Sequence, residues 1–214
     1  MATSKPQIRS TFATPVCVHF LPVAQDVNSE LRNTVLEQMN ANNGANGHRG
    51  QGWRSTNDFG TWGGLHAETL FRVLREQADS LTGTRAGGRV TLDWTISACA
   101  SVRQKGEYLE LTARPGAMWS GIYFVDDGYG KSDDETLGGE VSLADPRGAM
   151  PAMAAPNLAF RIPGGNTAGQ VELIRPQSGM MVLHPSWQPR GERLLEGPGP
   201  RIAIEFELSV PPAA

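Results

Sequence analysis

The sequence predicts an α+β protein that is mainly β. Two stretches near the N-terminus repeat their apolar residues at helical spacing, and from Arg89 onward apolar and polar residues alternate instead. Clusters of glycine and proline separate the alternating segments. Two helices followed by seven or more short strands favour a sandwich, a jelly roll or a barrel. With 214 residues, the chain is expected to form a single domain, residues 1–214.

The N-terminal part of this domain, residues 14–82, is predicted to contain one strand and two helices. The strand covers residues 15–23, and Asp26 then caps the first helix. The second helix covers residues 65–81. Between them, residues 53–62 are predicted to be irregular because they are rich in glycine and polar groups. The apolar stripes of the two helices are Val27, Leu31, Val35 and Met39, and Leu70, Leu74, Ala78 and Leu81.

The jelly-roll core is predicted over residues 88–210. Its first strand follows the alternation of Val90, Leu92, Trp94 and Ile96. Further strands are expected at about 106–113, 118–126, 139–144, 170–175, 179–184 and 200–209. The turn at Pro115-Gly116 makes a hairpin corner within residues 106–121. Sheet pairing would hold such a corner in place for chemistry, yet residues 112 and 114 are threonine and arginine.

Composition argues against several classes of partner. The chain has 19 basic and 22 acidic residues, a net charge of −3 and no basic cluster, so we expect no nucleic-acid or membrane partner. The N-terminus lacks the apolar core of a signal peptide, and no apolar run approaches membrane-spanning length, which predicts a cytoplasmic protein. Cys17 and Cys99 are expected to be separate thiols, too few to make a zinc site.

Several short segments appear in an order that resembles one family. They are TPVCVHFLP, GWRSTND, ASVRQKGEY, RPGAMWSGIYFVD, DPR, HPSW and RIAIEFEL, spread from Thr14 to Leu208. By these segments the chain resembles the small bacterial and phage 2-oxoglutarate/Fe(II)-dependent oxygenases. The resemblance implies a double-stranded β-helix, a jelly-roll or cupin-like core, with the two N-terminal helices packed outside it.

The resemblance also implies where such a family holds its cofactors. Three side chains, usually two histidines and a carboxylate, bind Fe(II), and a late arginine or lysine grips the distal carboxylate of 2-oxoglutarate. Thr112 and Arg114 stand at the early histidine positions, and Arg190 stands at the late one. Of the matched positions only the gripping arginine is kept, as Arg201. A guanidinium has no lone pair for a metal, so the resemblance predicts loss of the iron triad, no metal ligand and no cofactor beyond a 2-oxoglutarate-like carboxylate.

The leading hypothesis is that Arg114, Arg190 and Arg201 converge on the old pocket and bind a small anion there. Unpaired cations in a partly apolar cavity are costly, so they should be compensated by an anionic ligand or by protein carboxylates. The alternative to ligand binding is that Arg114 and Arg190 turn to solvent or pair with Glu110, Glu192 or Glu205, which would leave a structural relic. The candidate catalytic residues are Arg114, Arg190 and Tyr123. The candidate ligand-binding residues are Arg201, Thr112, Trp119, Ser120 and Ser186.

Trp119 and Tyr123 alternate along one predicted strand, where they either line the pocket or belong to the core. The protein would act as a binding protein or as a metal-independent enzyme. A second hypothesis is an active Fe(II)/2-oxoglutarate hydroxylase with displaced ligands, in which His184 joins Glu110 or Asp126. A third is a non-catalytic homo-oligomeric scaffold, such as a homodimer.

Overall fold

The computed structural model describes residues 7–9, 11–41, 52–148, 153, 155–163, 165–167 and 169–210. Three α-helices and twelve β-strands are described, together with a short 3-10 helix, Glu135–Leu137. The helices are α1 (Ala24–Ala41), α2 (Phe59–Trp62) and α3 (Gly64–Leu81). The strands are β1 (Cys17–Phe20), β2 (Trp53–Arg54), β3 (Thr95–Arg103), β4 (Leu109–Thr112), β5 (Trp119–Asp126), β6 (Val141–Ala144), β7 (Phe160–Ile162), β8 (Gly165–Thr167), β9 (Val171–Ile174), β10 (Met180–Pro185), β11 (Arg190–Glu192) and β12 (Arg201–Ser209).

Two antiparallel sheets form the core. The larger has six strands in the order β1-β10-β5-β12-β3-β2, and the smaller has four in the order β4-β11-β6-β9. Strands β7 and β8 form a separate hairpin. Strand β1 precedes the helices and pairs with β10, and strand β2 lies between α1 and α2 and pairs with β3. The N-terminal part of the chain therefore shares a sheet with the core. This mainly-β arrangement with few helices is consistent with a double-stranded β-helix.

The two faces of the six-stranded sheet bury different sets of apolar residues. One face packs against α1 and α3, whose buried residues include Leu31, Leu70 and Leu74. The other face meets the four-stranded sheet. There Ile122 and Phe124 of β5 pack with residues of both sheets, namely Val141, Leu143, Met180, Val182 and Ala203. Because side chains alternate along a strand, the central strands β5, β10 and β12 contribute to both clusters.

The helices agree with their predicted apolar stripes. Val27, Leu31 and Val35 of α1 are buried, as are Leu70 and Leu74 of α3. Cys17 and Cys99 are free thiols, as predicted. None of the helices in the described ranges is long and apolar enough to cross a bilayer.

The strand predictions need three corrections. The first core strand begins at Thr95 rather than near Val90, because most of residues 89–94 form no strand. The backbone N–H of Leu92 and the indole N–H of Trp94 instead donate to the side chain of Asp79 on α3. Residues 53–62 are not irregular: they contain β2 and α2, with Phe59 fully buried. Strands β7, β8 and β11 were not predicted, since three residues are too few to show alternation.

Candidate functional site

The structure brings four of the predicted site residues to one end of the two-sheet core. On β11, Arg190 lies directly opposite Thr112 of β4. The backbone N–H of Arg114 donates to the carbonyl of Ser186 at 2.8 Å, which holds the hairpin corner against the turn between β10 and β11. Gly116 has a φ of 111°, a conformation that glycine adopts at little cost, as the turn at this corner requires. The corner is therefore a fixed part of the site.

Behind this corner lies a buried group of charges, which we call the inner network and define as Arg103, Arg190, Arg201, Glu192 and Glu205. Glu205 of β12 accepts from Arg103 at 2.8 Å and from Arg190 at 3.1 Å. Glu192 of β11 lies 3.1 Å from Arg103 and 3.4 Å from both Arg190 and Arg201. All five side chains are at most 5% exposed. Each of the three arginines therefore has a buried carboxylate partner.

These charges change the pKa of Glu205. Burial alone would raise the pKa of the Glu205 carboxyl, but the charges of Arg190 and Arg103 outweigh it and hold the pKa well below its usual range. Glu205 is consequently ionised at any pH at which the protein would be handled. Its charge is part of the folded structure.

Arg201 is the most buried of the three arginines in the inner network. Its Nε donates to the carbonyl of Asp127 at 3.0 Å, and its Nη1 donates to the carbonyl of Gly139 and lies near Glu192. The guanidinium lies 5.3 Å from the ring centre of Tyr129. Gly139 leaves room for it, because a Cβ at that position would come within 2.6 Å of Nη2. Nη2 itself is buried and has no hydrogen-bond partner in the described part of the chain.

Toward solvent the network ends in a group of partly exposed charges that we call the rim, defined as Arg54, Arg114 and Glu207. The side chains of Arg54 and Arg114 are each 33% exposed and lie 4.0 Å and 3.8 Å from Glu205, and Arg114 also lies 3.9 Å from Glu207. The rim borders a small cleft with Arg190, Ser120 and Glu205 in its lining. The enclosed volume is about 10 Å³, room for roughly one water molecule.

Comparison with known proteins identifies the family. A sequence model described as "Putative 2OG-Fe(II) oxygenase" matches residues 98–207, more than half of the chain. This chain belongs to the 2OG-Fe(II) oxygenase family. The matched range runs from β3 to β12 and contains every residue of the inner network. A search of curated proteins gives no match.

Solved structures with the same fold include other oxygenases of this family. A prolyl hydroxylase from Trichoplax adhaerens superposes with a TM-score of 0.62 at 14% identity, covering 91% of this chain and 83% of its own. A prolyl-4-hydroxylase from Pseudomonas putida gives 0.58 at 13% identity, covering 92% of each chain. HygX from Streptomyces hygroscopicus, with nickel and 2-oxoglutarate bound, gives 0.59 at 12% identity, covering 92% and 83%. These identities support the shared fold alone.

Two residues that were predicted to line the pocket, Trp119 and Tyr123, face the helices instead. Tyr123 is fully buried in the cluster between the large sheet and the helices, and its hydroxyl donates to Asn28 of α1 at 2.6 Å. Trp119 lies in the same cluster and donates its indole N–H to Thr82 at 2.9 Å. The expectation that they line the pocket is wrong, because the alternation of β5 turns both toward the helices. The alternative, that both are core residues, is correct.

The two serines differ in position. Ser120 lies between Trp119 and Gly121 on β5 and lines the rim cleft. Ser186 is buried, and its hydroxyl donates to the carbonyl of Ala117, where it ties the hairpin corner to the β10–β11 turn. Thr112 is exposed, and its hydroxyl donates to the backbone carbonyl of Glu110 at 3.3 Å. Of these three residues, Ser120 alone lines the cleft.

The displaced-ligand hypothesis centres on His184, which lies opposite Ser120 on the interior face of the large sheet. Its Nδ1 lies 3.0 Å from the carbonyl of Pro185, and its Nε2 is buried without a partner among the described residues. Asp126 pairs with Arg32 of α1 at 3.4 Å, while Glu110 is exposed. No group of three histidine, cysteine or acidic side chains that could hold a metal occurs within the described ranges.

Arg103 was not among the candidate catalytic or ligand-binding residues predicted from the sequence, although Glu192 and Glu205 were named as candidate partners. The sequence signal that could have identified Arg103 is its position along the strand. Arg103 and Ser101 alternate on a strand in the same way as Arg201, Ala203 and Glu205 do, and β3 and β12 are neighbours in register. Only the pairing of Arg103 with Arg201 shows that both side chains lie on one face.

Glu205→Gln should lower the free energy of unfolding by about 3–5 kcal/mol, because it leaves Arg103 and Arg190 buried beside a neutral group. Urea unfolding at pH 7 measures this. The matched control, Glu207→Gln, should cost less than about 1 kcal/mol because Glu207 is partly exposed and its ion pair is long. Equal losses in both variants would contradict a structural role for the Glu205 charge.

The stability contributed by Glu205 should also depend on pH. Because its folded-state pKa is depressed, this stability is present above the ordinary carboxyl value of 4.5 and is lost as the pH falls below it. The difference between the wild-type protein and Glu205→Gln should therefore shrink in acid.

A second pH effect is expected from His184. Burial, with a smaller contribution from the charge of Arg190, lowers the pKa of His184 from its ordinary value of 6.5 to about 4. Between these values the unfolded chain binds a proton that the folded chain does not, so lowering the pH from 7 to 5 should cost about 2 kcal/mol of unfolding free energy through this group.

Urea unfolding at pH 7 and pH 5 checks the expected loss. His184→Gln should remove it, while His66→Gln on α3, outside the interior, should keep it. An unchanged difference between the two pH values in His184→Gln would show that His184 is not the group responsible.

Proposed function

We propose that this member of the 2OG-Fe(II) oxygenase family does not hold iron in the family's manner and instead binds a small anion at the rim of the ion-pair network. The observation that carries the proposal is the balance of charge. Within the described part of the chain, the rim and the inner network together contain five guanidiniums and three carboxylates, leaving two positive charges. A bound anion would balance them.

The residues at the predicted ligand positions do not fit iron. A guanidinium stays protonated and has no lone pair to donate, which rules out Arg114 and Arg190 as ligands. Both are also near carboxylates, with Arg190 3.1 Å from Glu205. Thr112, across from Arg190, offers one neutral hydroxyl that already donates to a backbone carbonyl. Neighbouring cations would further repel Fe(II).

The interior does not fit 2-oxoglutarate either. Arg201, the residue that the resemblance assigns to its distal carboxylate, already has Glu192 and two backbone carbonyls as partners. A 2-oxoglutarate molecule would have to displace Glu192 and enter a cleft that encloses about 10 Å³. Pockets for small molecules are usually about 300–1,000 Å³. The arrangement favours an anion at the entrance over one in the interior.

The rim has the properties that such a site needs. Arg54 and Arg114 are accessible, and their contacts with Glu205 are 4.0 Å and 3.8 Å, longer than those of the inner arginines. The Nε of Arg54 is buried and has no hydrogen-bond partner within the described ranges. An anion with several oxygens could accept from both guanidiniums at once. We therefore propose a binding role, with Arg54 and Arg114 as the main contacts.

Iron binding provides the first test. After anaerobic loading with Fe(II) and 2-oxoglutarate and removal of free metal, the protein should retain less than about a tenth of an equivalent of iron, because the residues that the structure describes offer no set of three donors. Elemental analysis measures this. Near-stoichiometric iron that is lost in His184→Gln would overturn the proposal in favour of a hydroxylase with displaced ligands.

Anion binding provides the second test, with sulfate as the probe. At a sulfate concentration about ten times the dissociation constant, the melting temperature should rise by about 3–6 °C over chloride of equal ionic strength. The double variant Arg54→Gln/Arg114→Gln should lose the saturable part of this rise. Sulfate also stabilises proteins in general by exclusion from their surface, so any rise that remains should not saturate.

Arg193→Gln is the matched control, because Arg193 is 58% exposed, pairs with Glu140 and does not line the rim cleft. It should keep the whole rise. No saturable rise in the wild-type protein, or the same rise in the double variant, would contradict the proposed anion site and favour the non-catalytic scaffold.

A further inference from the structure

Among the residues that the structure describes, a second and much larger cleft, which we call the distal cleft, shares no lining residue with the rim cleft. Its volume is about 520 Å³, within the usual range for small-molecule pockets. The N-terminal segment before β1, the turn after β6, strand β7 and the start of β9 enclose it. The lining residues used below are Arg9, Phe12, Asp145, Arg147, Phe160, Val171, Glu172 and Gln188.

The cleft exposes apolar surface that a ligand would cover. Phe12 is 94% exposed and Phe160 is 63% exposed, and Val171 at the start of β9 is 42% exposed. Exposed apolar groups gathered around one concave surface are typical of ligand sites rather than of an ordinary protein surface. The rings of Phe12 and Phe160 favour a flat aromatic ligand, which could stack on the face of each ring or contact its edge.

The charges of the distal cleft favour an uncharged ligand. Its lining contains Arg9 and Arg147 together with Asp145 and Glu172, so the formal charges in the described lining cancel. Asp145 and Arg147 form a bidentate ion pair at 3.0 Å and 2.7 Å, which leaves little free charge for a ligand. This distinguishes the distal cleft from the rim, where positive charge is in excess.

Gln188 adds a polar group to this lining. Its side chain is 5% exposed, and its Oε1 is buried with no hydrogen-bond partner in the described part of the chain. The Nε2 of the same amide has one long contact, 3.4 Å to the carbonyl of Ala144. A buried acceptor without a partner destabilises the structure, because it has lost its hydrogen bonds to water. A donor on a ligand would replace one of them once the weakly held amide turns toward the cleft.

We propose that the distal cleft binds an uncharged aromatic small molecule that carries a hydrogen-bond donor, with the donor directed to Oε1 of Gln188. The aromatic part packs against Phe12, Phe160 and Val171. This site is independent of the rim and of any anion bound there.

The probes are 2-naphthol and 2-methoxynaphthalene, which share the aromatic body but differ in whether the oxygen carries a hydrogen. Titrations followed by amide shifts in two-dimensional NMR should show saturable one-to-one binding of 2-naphthol, with the methoxy compound about five-fold weaker. Gln188→Met should remove this difference by weakening 2-naphthol to the level of the methoxy compound.

Val171→Trp should fill the cleft and weaken both probes by at least about ten-fold. The control is Leu173→Trp, because Leu173 lies two residues along the same strand, is similarly exposed and does not line the cleft. It should bind both probes as the wild-type protein does. Equal affinity of the wild-type protein for the two probes, no saturable binding of 2-naphthol, or unchanged binding in Val171→Trp would each overturn the proposal.

Discussion

The position of the Glu205 carboxylate governs the rest of the site. It belongs to β12, yet it accepts from Arg103 on the neighbouring strand β3 and from Arg190 on β11 of the other sheet. Arg190 and Arg201 then meet at Glu192, which also belongs to β11. The network therefore joins the two sheets beside the apolar cluster of Ile122 and Phe124. Glu205 lies opposite Ile122 in the register of the two strands, and the guanidinium of Arg201 lies 5.6 Å from the ring centre of Phe124.

Such a network has a high electrostatic cost. Buried ion pairs stabilise a fold little more than apolar residues of the same size would, because each charge must first be removed from water. The network instead determines which ligands can enter, because its side chains occupy the interior. The three arginines and two glutamates fill the interior, and a carboxylate ligand could reach Arg201 only by competing with Glu192. Charged or polar ligands therefore have access to the rim, while the distal cleft offers a separate, electrically balanced surface.

Backbone contacts hold the hairpin corner in its position relative to β11. Backbone pairing places residue 190 opposite residue 112 whatever their side chains are. The contacts that hold the corner, from Arg114 N–H to Ser186 and from Ser186 to Ala117, involve backbone carbonyls as acceptors. The frame therefore does not depend on the side chains of residues 112, 114 and 190.

Much of the fold could be predicted from periodicity. The stripes of α1 and α3 follow from the burial of one face of each helix. Strands β5, β10 and β12 were also predicted, although both of their faces are buried. Periodicity failed where tertiary contacts override it. Trp94 alternates with its neighbours as a strand residue would, but its indole N–H bonds to Asp79 of α3, and the strand starts after it.

The sequence by itself determined the mainly-β class, the helical stripes and the presence of threonine and arginines at the positions that resemble a metal site. It also offered Glu110, Glu192 and Glu205 as alternative partners for those arginines, of which the structure pairs Glu192 and Glu205 with them. Only the tertiary structure decided that Tyr123 faces α1, that Arg103 joins the network and that the interior is filled. The physical reason is that alternation groups side chains by face, whereas strand order and register decide which face is the interior and which charges meet across it.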